Sequence, residues 1–264
     1  MATRAAPMPT QSTSDDRFFM GAALAMAFVV VAGFSTQLAM GRSSFDSPPL
    51  VHAHAIAFMG WITLYVTQTA LATSDRVSLH RRLGWIGAGW IVLMLVLGTM
   101  VTLAIVRRGQ VPFFFRPQHF LIFDPLSLIG FATLSWAAIR LRRHTGWHRR
   151  LHLCGTSILL GAAFGRLLPM PLLAPLAFEA AFVATLAFPV AGVIADVRRS
   201  GRVHPAWLWG IGGMFATLLV TEIVTYSPAG DAIYRSVTAG TPGAGVDGLG
   251  FPPPPVGPRR TGRS

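Results

Sequence analysis

Seven stretches of about 20 mostly apolar residues fill most of the chain, and each is long enough to cross a bilayer as a helix. Proline or glycine clusters separate several of them, such as residues 47–49 and 169–171. The predicted segments are Phe18–Met40, Val51–Thr73, Leu83–Val106, Phe120–Leu141, Leu151–Leu168, Pro171–Ala195 and Ala206–Tyr226. Because a lone strand cannot satisfy its backbone groups in lipid, these runs predict helices. The expected fold is an all-α, polytopic transmembrane bundle of about seven helices over residues 18–227.

The balance of charge supports a lipid environment. Hydrophobic residues make up 52% of the chain and charged residues 12%, whereas soluble domains carry about 25% charged residues. The formal net charge of +12 would suggest nucleic acid in a soluble protein, but all 22 basic residues are arginines and most lie in short loops. Such arginines act as topology signals and headgroup anchors. We therefore expect the lipid bilayer as a partner and no nucleic acid.

The arginines also predict the orientation of the bundle. Thirteen of them lie before the first segment and in the loops after the second, fourth and sixth segments. The positive-inside rule makes that side cytoplasmic. The N-terminus is then inside and the C-terminus outside, as in a multi-pass protein of a bacterial inner membrane. Residues 1–17 are expected to be a disordered cytoplasmic segment, and the Pro/Gly-rich residues 228–264 a disordered external tail.

A short internal repeat runs through the first half of the chain. Leu79–Leu83 contains His-Arg-Arg-Leu before the third segment, and Trp147–Leu151 contains the same motif before the fifth. A helix that begins with histidine precedes each copy: His52 and His54 before the first, His119 before the second. This pattern indicates a parallel duplication of two-helix hairpins.

Four ionisable residues inside the apolar segments are candidates for a site: Asp124, Arg166, Glu179 and Glu222. Each costs roughly 2.5–3.5 kcal/mol to insert, so such residues usually face other helices and have partners. Counted at about 1.5 Å per residue, all four lie in the outer half of the membrane, where His54 and His119 also enter. One polar cavity for a small ligand, ion or proton is the economical interpretation. Structural pairing of Arg166 with one of the acids is the alternative.

The second segment has a polar stripe that extends this cavity. His54, Trp61 and Gln68 are seven residues apart, so they share one helix face. We therefore include them, together with Asp124 and the other three buried charges, among the predicted cavity residues.

The histidines allow a second interpretation, because neutral imidazole binds iron, copper and zinc. His54 and His119 on the outer side, and His80 and His148 on the inner side, are candidate ligands for one haem b near each membrane face. In layout only, this resembles the dihaem b-type transmembrane cytochromes, although His80 and His148 lie in the first helical turn. A stripe of His144, His148 and His152 is a further metal-binding alternative. Cys154 is the only cysteine and excludes cysteine-based metal centres.

A pattern of polar residues and short motifs extends over about residues 50–170. Its members are His54, Trp61, Gln68, Leu71, Arg76, His80-Arg81-Arg82-Leu83-Gly84, Asp124, His148-Arg149-Arg150-Leu151 and Arg166. With this pattern the chain resembles an uncharacterised bacterial family of polytopic inner-membrane proteins. The resemblance implies an inner-membrane bundle and no particular activity.

The sequence contains no phosphate-binding loop, nucleophile elbow or His-Glu-x-x-His motif. This favours a protein that is not an enzyme. The leading interpretation is a bundle that binds or transports a small ligand, ion or proton in its outer half. The alternatives are a haem redox protein and a structural subunit of a larger membrane complex.

Overall fold

The structure is a computed structural model that describes residues 14–74 and 76–254, and within these residues it contains helices and no β-strand. The elements in chain order are α1 (Ser14–Ala39), α2 (Pro49–Ala72), α3 (Val77–Arg107), α4 (Pro117–Arg140), α5 (Thr145–Leu159), α6 (Gly161–Leu167), α7 (Met170–Leu173), α8 (Ala177–Thr185), α9 (Ala187–Ser200), α10 (Pro205–Thr225), α11 (Pro228–Thr238) and a 3-10 helix, η1 (Pro242–Gly245).

Six helical stretches of the described residues are long and apolar enough to cross a membrane. They are α1, α2, α3, α4, the α8–α9 pair and α10. The prediction of a helical membrane bundle is confirmed at this level. The fifth predicted segment differs from its expected form, because α5 and α6 are two shorter helices that meet at Leu160.

Two interruptions have local causes. Leu160 keeps right-handed helical dihedral angles, so α6 continues from α5 with only a brief change in hydrogen bonding. Leu186 similarly joins α8 to α9. Three residues later, Pro189 has no N–H to donate to the preceding turn, which weakens the helix there. Each pair of helices therefore follows a nearly continuous helical course.

Contacts between helices define the two ends of the bundle. At the arginine-rich end, which is named for Arg149, Arg150 and Arg199, the start of α5 meets the start of α1 and the end of α9. At the opposite end, His119 at the start of α4 meets Glu222 near the end of α10. The α5–α6 course connects the arginine-rich end to the opposite end, since Arg166 lies on α6 beside the end of α1.

Buried ionic contacts hold the arginine-rich end together. Asp196, only 3% exposed, accepts hydrogen bonds from Arg150 (2.7 and 3.0 Å), from Arg199 (2.6 Å) and from the Trp207 indole (2.8 Å). Asp15 on α1 also pairs with Arg149 (2.8 Å) and Arg199 (2.7 Å). Four helices are joined by this network.

Small residues bring the helices close together around this network. A Cβ atom at Gly192 would lie 2.2 Å from the fully buried Trp207 ring, and one at Gly210 would lie 2.4 Å from the Cys154 sulfur. Close backbone approach at small residues is the usual way in which membrane helices pack. Trp207 also stacks on Phe19 of α1, with ring centroids 6.3 Å apart.

The terminal segments differ from the predicted disorder. Residues 14–17 belong to α1, where acidic side chains pair with arginines, and residues 1–13 lie outside the described residues. Residues 228–254 include α11 and η1, which pack on α3, α4 and α10. Tyr234, 5% exposed, donates to the Val246 carbonyl at 3.0 Å, and the main chain of Gln118 donates to the Gly248 carbonyl at 2.8 Å. Residues 255–264 are not described.

Candidate functional site

His119 and Glu222 form the centre of a polar cluster at the end of the bundle opposite the arginines. Helix α4 begins with Pro117, whose fixed φ suits a first helical turn, so His119 lies in that first turn. Its Nε2 is 3.0 Å from Oε1 of Glu222 on α10. The two atoms do not have the alignment of a hydrogen bond, and neither has another partner in the described part of the chain. Each atom therefore retains bonding capacity.

Glu179 brings a second carboxylate to the cluster from α8. It interacts electrostatically with Glu222. Its Oε2 is buried and has no hydrogen-bond partner within residues 14–74 and 76–254. We refer to His119, Glu179 and Glu222 as the Glu222 cluster. Three helices, α4, α8 and α10, contribute one ionisable group each.

Aromatic rings surround the Glu222 cluster. Phe178, next to Glu179, lies 4.7 Å from the His119 ring and stacks on Phe123 at 4.5 Å between centroids. The Tyr226 ring is 6.1 Å from His119. Aromatic faces carry partial negative charge and attract cations. The cluster therefore combines two carboxylates with several π surfaces.

Arg116 lies beside the cluster, immediately before the first residue of α4. Its guanidinium donates a hydrogen bond to the Tyr226 hydroxyl at 2.5 Å and lies over the Phe251 ring of the C-terminal segment, 4.9 Å from the centroid. It also interacts electrostatically with His119 and Glu222. With His119 neutral, two carboxylates and one guanidinium leave one negative charge to be balanced.

A second polar group lies deeper, between α3, α4 and α6. Asp124 accepts a 2.8 Å hydrogen bond from the Thr102 hydroxyl, and it interacts with Arg166 at a distance longer than an ion pair. The Arg166 guanidinium instead donates to the Ala162 carbonyl at 2.7 Å and lies over the Phe34 ring at 4.1 Å. Among the described residues no carboxylate forms a direct ion pair with Arg166, so the expected structural pairing is absent there.

The residues of the α2 stripe lie at different places along the bundle. His54 stacks on Phe58 at 4.1 Å and interacts with Arg166, so it belongs to the deeper group. Trp61 is 4% exposed and packs edge-on against Phe131. The Gln68 side chain donates to the His80 carbonyl at 3.1 Å, near the arginine-rich end.

The two histidines of the predicted inner pair are close to each other. His80 and His148 have ring centroids 6.2 Å apart and perpendicular planes, and His152 lies 5.0 Å from His148. Nδ1 of His80 is 3.2 Å from the Gln68 carbonyl, and Nδ1 of His148 is 2.8 Å from the Ala138 carbonyl. If each Nδ1 carries the proton and donates, both Nε2 atoms have free lone pairs.

The other proposed metal sites receive less support. No ring contact joins His54 to His119 in the described residues, and Nε2 of His119 faces Glu222 instead. Within the same residues, no group of three histidine, cysteine, aspartate or glutamate side chains is arranged to hold a metal ion. This includes the stripe of His144, His148 and His152.

Sequence reasoning did not identify several neighbours of these sites. Arg116 and Tyr226 lie at segment ends, where their types are common as interface anchors, and Phe178 lies inside the sixth predicted segment among other apolar residues. Thr102 has no distinguishing signal, because threonine is frequent in apolar helices. Asp196 was not among the predicted buried charges, because the predicted sixth segment ends at Ala195 and does not include it.

No protein-family model matches the chain, and no curated protein or solved structure is significantly similar to it. The six apolar helices identify a multi-pass protein in contact with a lipid bilayer.

Proposed function

We propose that this membrane protein binds a proton or a monovalent cation at the Glu222 cluster. The observation that supports this proposal is the convergence of Glu179, Glu222 and His119 from three helices, each with a buried atom that has no hydrogen-bond partner among the described residues. Buried polar atoms normally have partners, and those without one often mark functional positions. Ionisable groups inside membrane proteins are likewise common at ion and proton sites.

The charge balance of the cluster favours a single positive charge. Glu179 and Glu222 contribute two negative charges when ionised, and Arg116 compensates one of them. A proton on His119 or on either carboxylate would balance the other, and so would one bound monovalent cation. Proton and cation would then compete for the same site.

The surroundings of the cluster favour an organic cation over a divalent metal ion. Metal ions of the magnesium or calcium type need six or more oxygen ligands, whereas this cluster offers two carboxylates next to aromatic rings. Ammonium groups bind readily against aromatic faces beside a carboxylate. Substituted ammonium ions are therefore the expected class.

A thermal-unfolding titration tests this proposal. Purified protein in detergent is heated in tetramethylammonium chloride, with sodium chloride at equal ionic strength as the reference. Binding to the folded state raises the melting temperature in a saturable manner. The increase should disappear in Glu222→Gln and Glu179→Gln and persist in Asp231→Asn, which changes an exposed carboxylate on α11. No saturable increase, or the same increase in Glu222→Gln, contradicts the proposal.

A second candidate function is redox chemistry at the arginine-rich end, and the His80–His148 pair favours it. The two ring centroids are 6.2 Å apart, so the imidazoles are close neighbours, and neutral imidazole is a common metal ligand. Backbone carbonyls that accept from Nδ1 are typical of ligating histidines. In a redox protein His80 and His148 would be the histidine ligands of a b-type haem at this one site, and the haem would supply electron transfer.

A visible spectrum decides whether this pair binds haem. A Soret band with a reduced α-band in dithionite, lost in His80→Ala and in His148→Ala, is the result expected for haem. The same band must persist in His54→Ala, because His54 lies elsewhere in the bundle. A colourless preparation from cells supplied with haem precursor contradicts the redox function.

The orientation follows from the arginines. We infer that the arginine-rich end faces the cytoplasm of a bacterium, that the α5–α6 course is a seventh crossing, and that the Glu222 cluster opens outwards. The native Cys154 is fully buried, so engineered cysteines can be labelled over a low background. An impermeant maleimide applied to intact cells should label Ser44→Cys and leave Ser200→Cys unlabelled, and the reverse pattern contradicts the orientation.

A further inference from the structure

An apolar groove opens on the side of the bundle where α7 meets α8. Its volume is about 490 Å³, within the usual range for small-molecule sites. Its rim carries Leu172, Leu176 and Val183, which are 84%, 60% and 63% exposed. Val183 lies on the α8–α9 pair, which is long and apolar enough to cross a membrane, and Leu172 and Leu176 directly precede that pair. We infer that the groove opens to the bilayer near this end of the crossing.

Glu179 links this groove to the Glu222 cluster. It is among the residues that line the groove, and its buried Oε2 lacks a hydrogen-bond partner in the described part of the chain. The adjacent Phe178 contacts His119. Glu179 thus belongs both to the groove and to the Glu222 cluster. Its neighbour Phe178 contacts the cluster as well.

We propose that the groove admits a lipophilic monovalent cation, such as a hydrophobic ammonium ion, from the bilayer, and that Glu179 binds its charged centre. This inference rests on the proposed function and specifies the ligand class of that site. The apolar rim suits the hydrophobic part of such an ion. The carboxylates and the Phe178 ring suit its positive charge.

The position of Arg116 favours entry of the cation from the bilayer through the groove over entry from water. This arginine lies between Tyr226 and Phe251 at the outer side of the cluster, so a cation that arrives from water there meets a positive charge. No charged side chain other than Glu179 lines the groove in the described residues. The charges that face the site are Arg116 beside α4, His119 on α4, Glu179 on α8 and Glu222 on α10.

Two probes of matched shape and opposite charge test the ligand class. Tetraphenylphosphonium and tetraphenylborate are titrated against detergent-purified protein by equilibrium dialysis. The cation should bind saturably at one site per chain, and the anion should only partition into the micelle. Glu179→Gln should weaken cation binding by at least about tenfold, because loss of one partner in a desolvated charge pair is costly. Asp231→Asn is the matched control and should leave binding unchanged.

A groove variant separates this inference from the proposed function. Val183→Trp fills the rim of the groove and leaves the carboxylates in place. It should abolish tetraphenylphosphonium binding and retain the melting-temperature increase with tetramethylammonium. Equal saturable binding of both probes, as expected of a groove for acyl chains or detergent, overturns the ligand class. Lack of phosphonium binding with an intact tetramethylammonium response overturns the inference alone, whereas loss of both responses in the native chain overturns both.

Discussion

Replacement of Asp196 by alanine should destabilise the protein more than replacement of any exposed acid. The carboxylate is 3% exposed and accepts four hydrogen bonds, two from Arg150 and one each from Arg199 and Trp207. Its loss leaves the Arg150 side chain, itself 7% exposed, without its closest counter-charge. Removal of one partner of a buried ion pair costs about 3–5 kcal/mol. Because Asp15 lies 3.5 Å from Arg150 and compensates in part, we expect the lower end of that range.

The matched control is Asp231→Ala on α11. Asp231 pairs with Arg235 four residues later, but their side chains are 47% and 73% exposed. Exposed helical pairs contribute about 0.3–0.5 kcal/mol. Equilibrium unfolding of both variants in mixed micelles gives the two free energies on one scale. Equal effects of the two substitutions would refute the view that burial of Asp196 determines its contribution.

A double variant tests the cause of the loss. Arg150→Met with Asp196→Leu replaces the buried pair by apolar side chains of similar size. Such replacements are often neutral or stabilising, so the double variant should be more stable than Asp196→Ala. If it is less stable, packing around Trp207 and not the unpaired arginine explains the effect.

Three further predictions concern other parts of the fold. Gly192→Ala should lower the free energy of unfolding by about 1–3 kcal/mol, because the added Cβ would meet the buried Trp207 ring. Gly212→Ala is the control: its Cβ would meet nothing within 4 Å, so this variant should be neutral or mildly stabilising. Tyr234→Phe removes the hydroxyl that donates to the Val246 carbonyl, and loss of this hydrogen bond should cost about 1 kcal/mol of stability. Limited proteolysis should then cut residues 239–254 faster. Unchanged cleavage would contradict the view that this hydrogen bond holds the C-terminal segment in place. Burial, and to a smaller extent the Arg150 charge, lower the pKa of His204 below its ordinary 6.5. The unfolded chain therefore binds the proton first as the pH drops, and the stability of the folded protein should fall below pH 6.5. Thermal melts between pH 5 and pH 8 should show a smaller fall in His204→Asn.

The membrane helices could be predicted from the sequence because lipid imposes a strict length on apolar segments. Predicted and observed bounds of α2 and α4 agree within three residues. The sequence did not predict how the fifth segment divides at Leu160, since that residue keeps helical dihedral angles and has no breaker type. Such breaks depend on packing with neighbouring helices.

The C-terminal segment shows where composition misled the prediction. Residues 228–254 are rich in glycine and proline, yet α11 has one strongly apolar face and Tyr234 is buried against the end of the bundle. Gly243 approaches the Val106 carbonyl so closely that a Cβ would lie 2.3 Å from it. Glycine here permits close contact between main chains and does not cause disorder. The sequence alone does not reveal the surface that the glycine contacts, so it could not distinguish these two roles.

The candidate site was predictable in its residue types but not in its grouping. The cost of charges in lipid identified Asp124, Arg166, Glu179 and Glu222. Depth along each helix suggested one cavity, whereas in the structure Asp124 bonds to Thr102 and Arg166 bonds to the Ala162 carbonyl and lies over Phe34. These partners depend on how the helices pack, which short polar stripes encode only weakly.

Proton release on cation binding tests the central claim most directly. The Glu222 cluster is proposed to hold one positive charge, so a bound cation should displace a proton. Calorimetric titration of tetramethylammonium in two buffers of different ionisation enthalpy gives the number of protons released. We expect up to about one proton per cation, with weaker binding as the pH falls, and neither effect in Glu222→Gln. Binding that releases no proton at any pH, or that is unchanged in Glu222→Gln, would contradict the account.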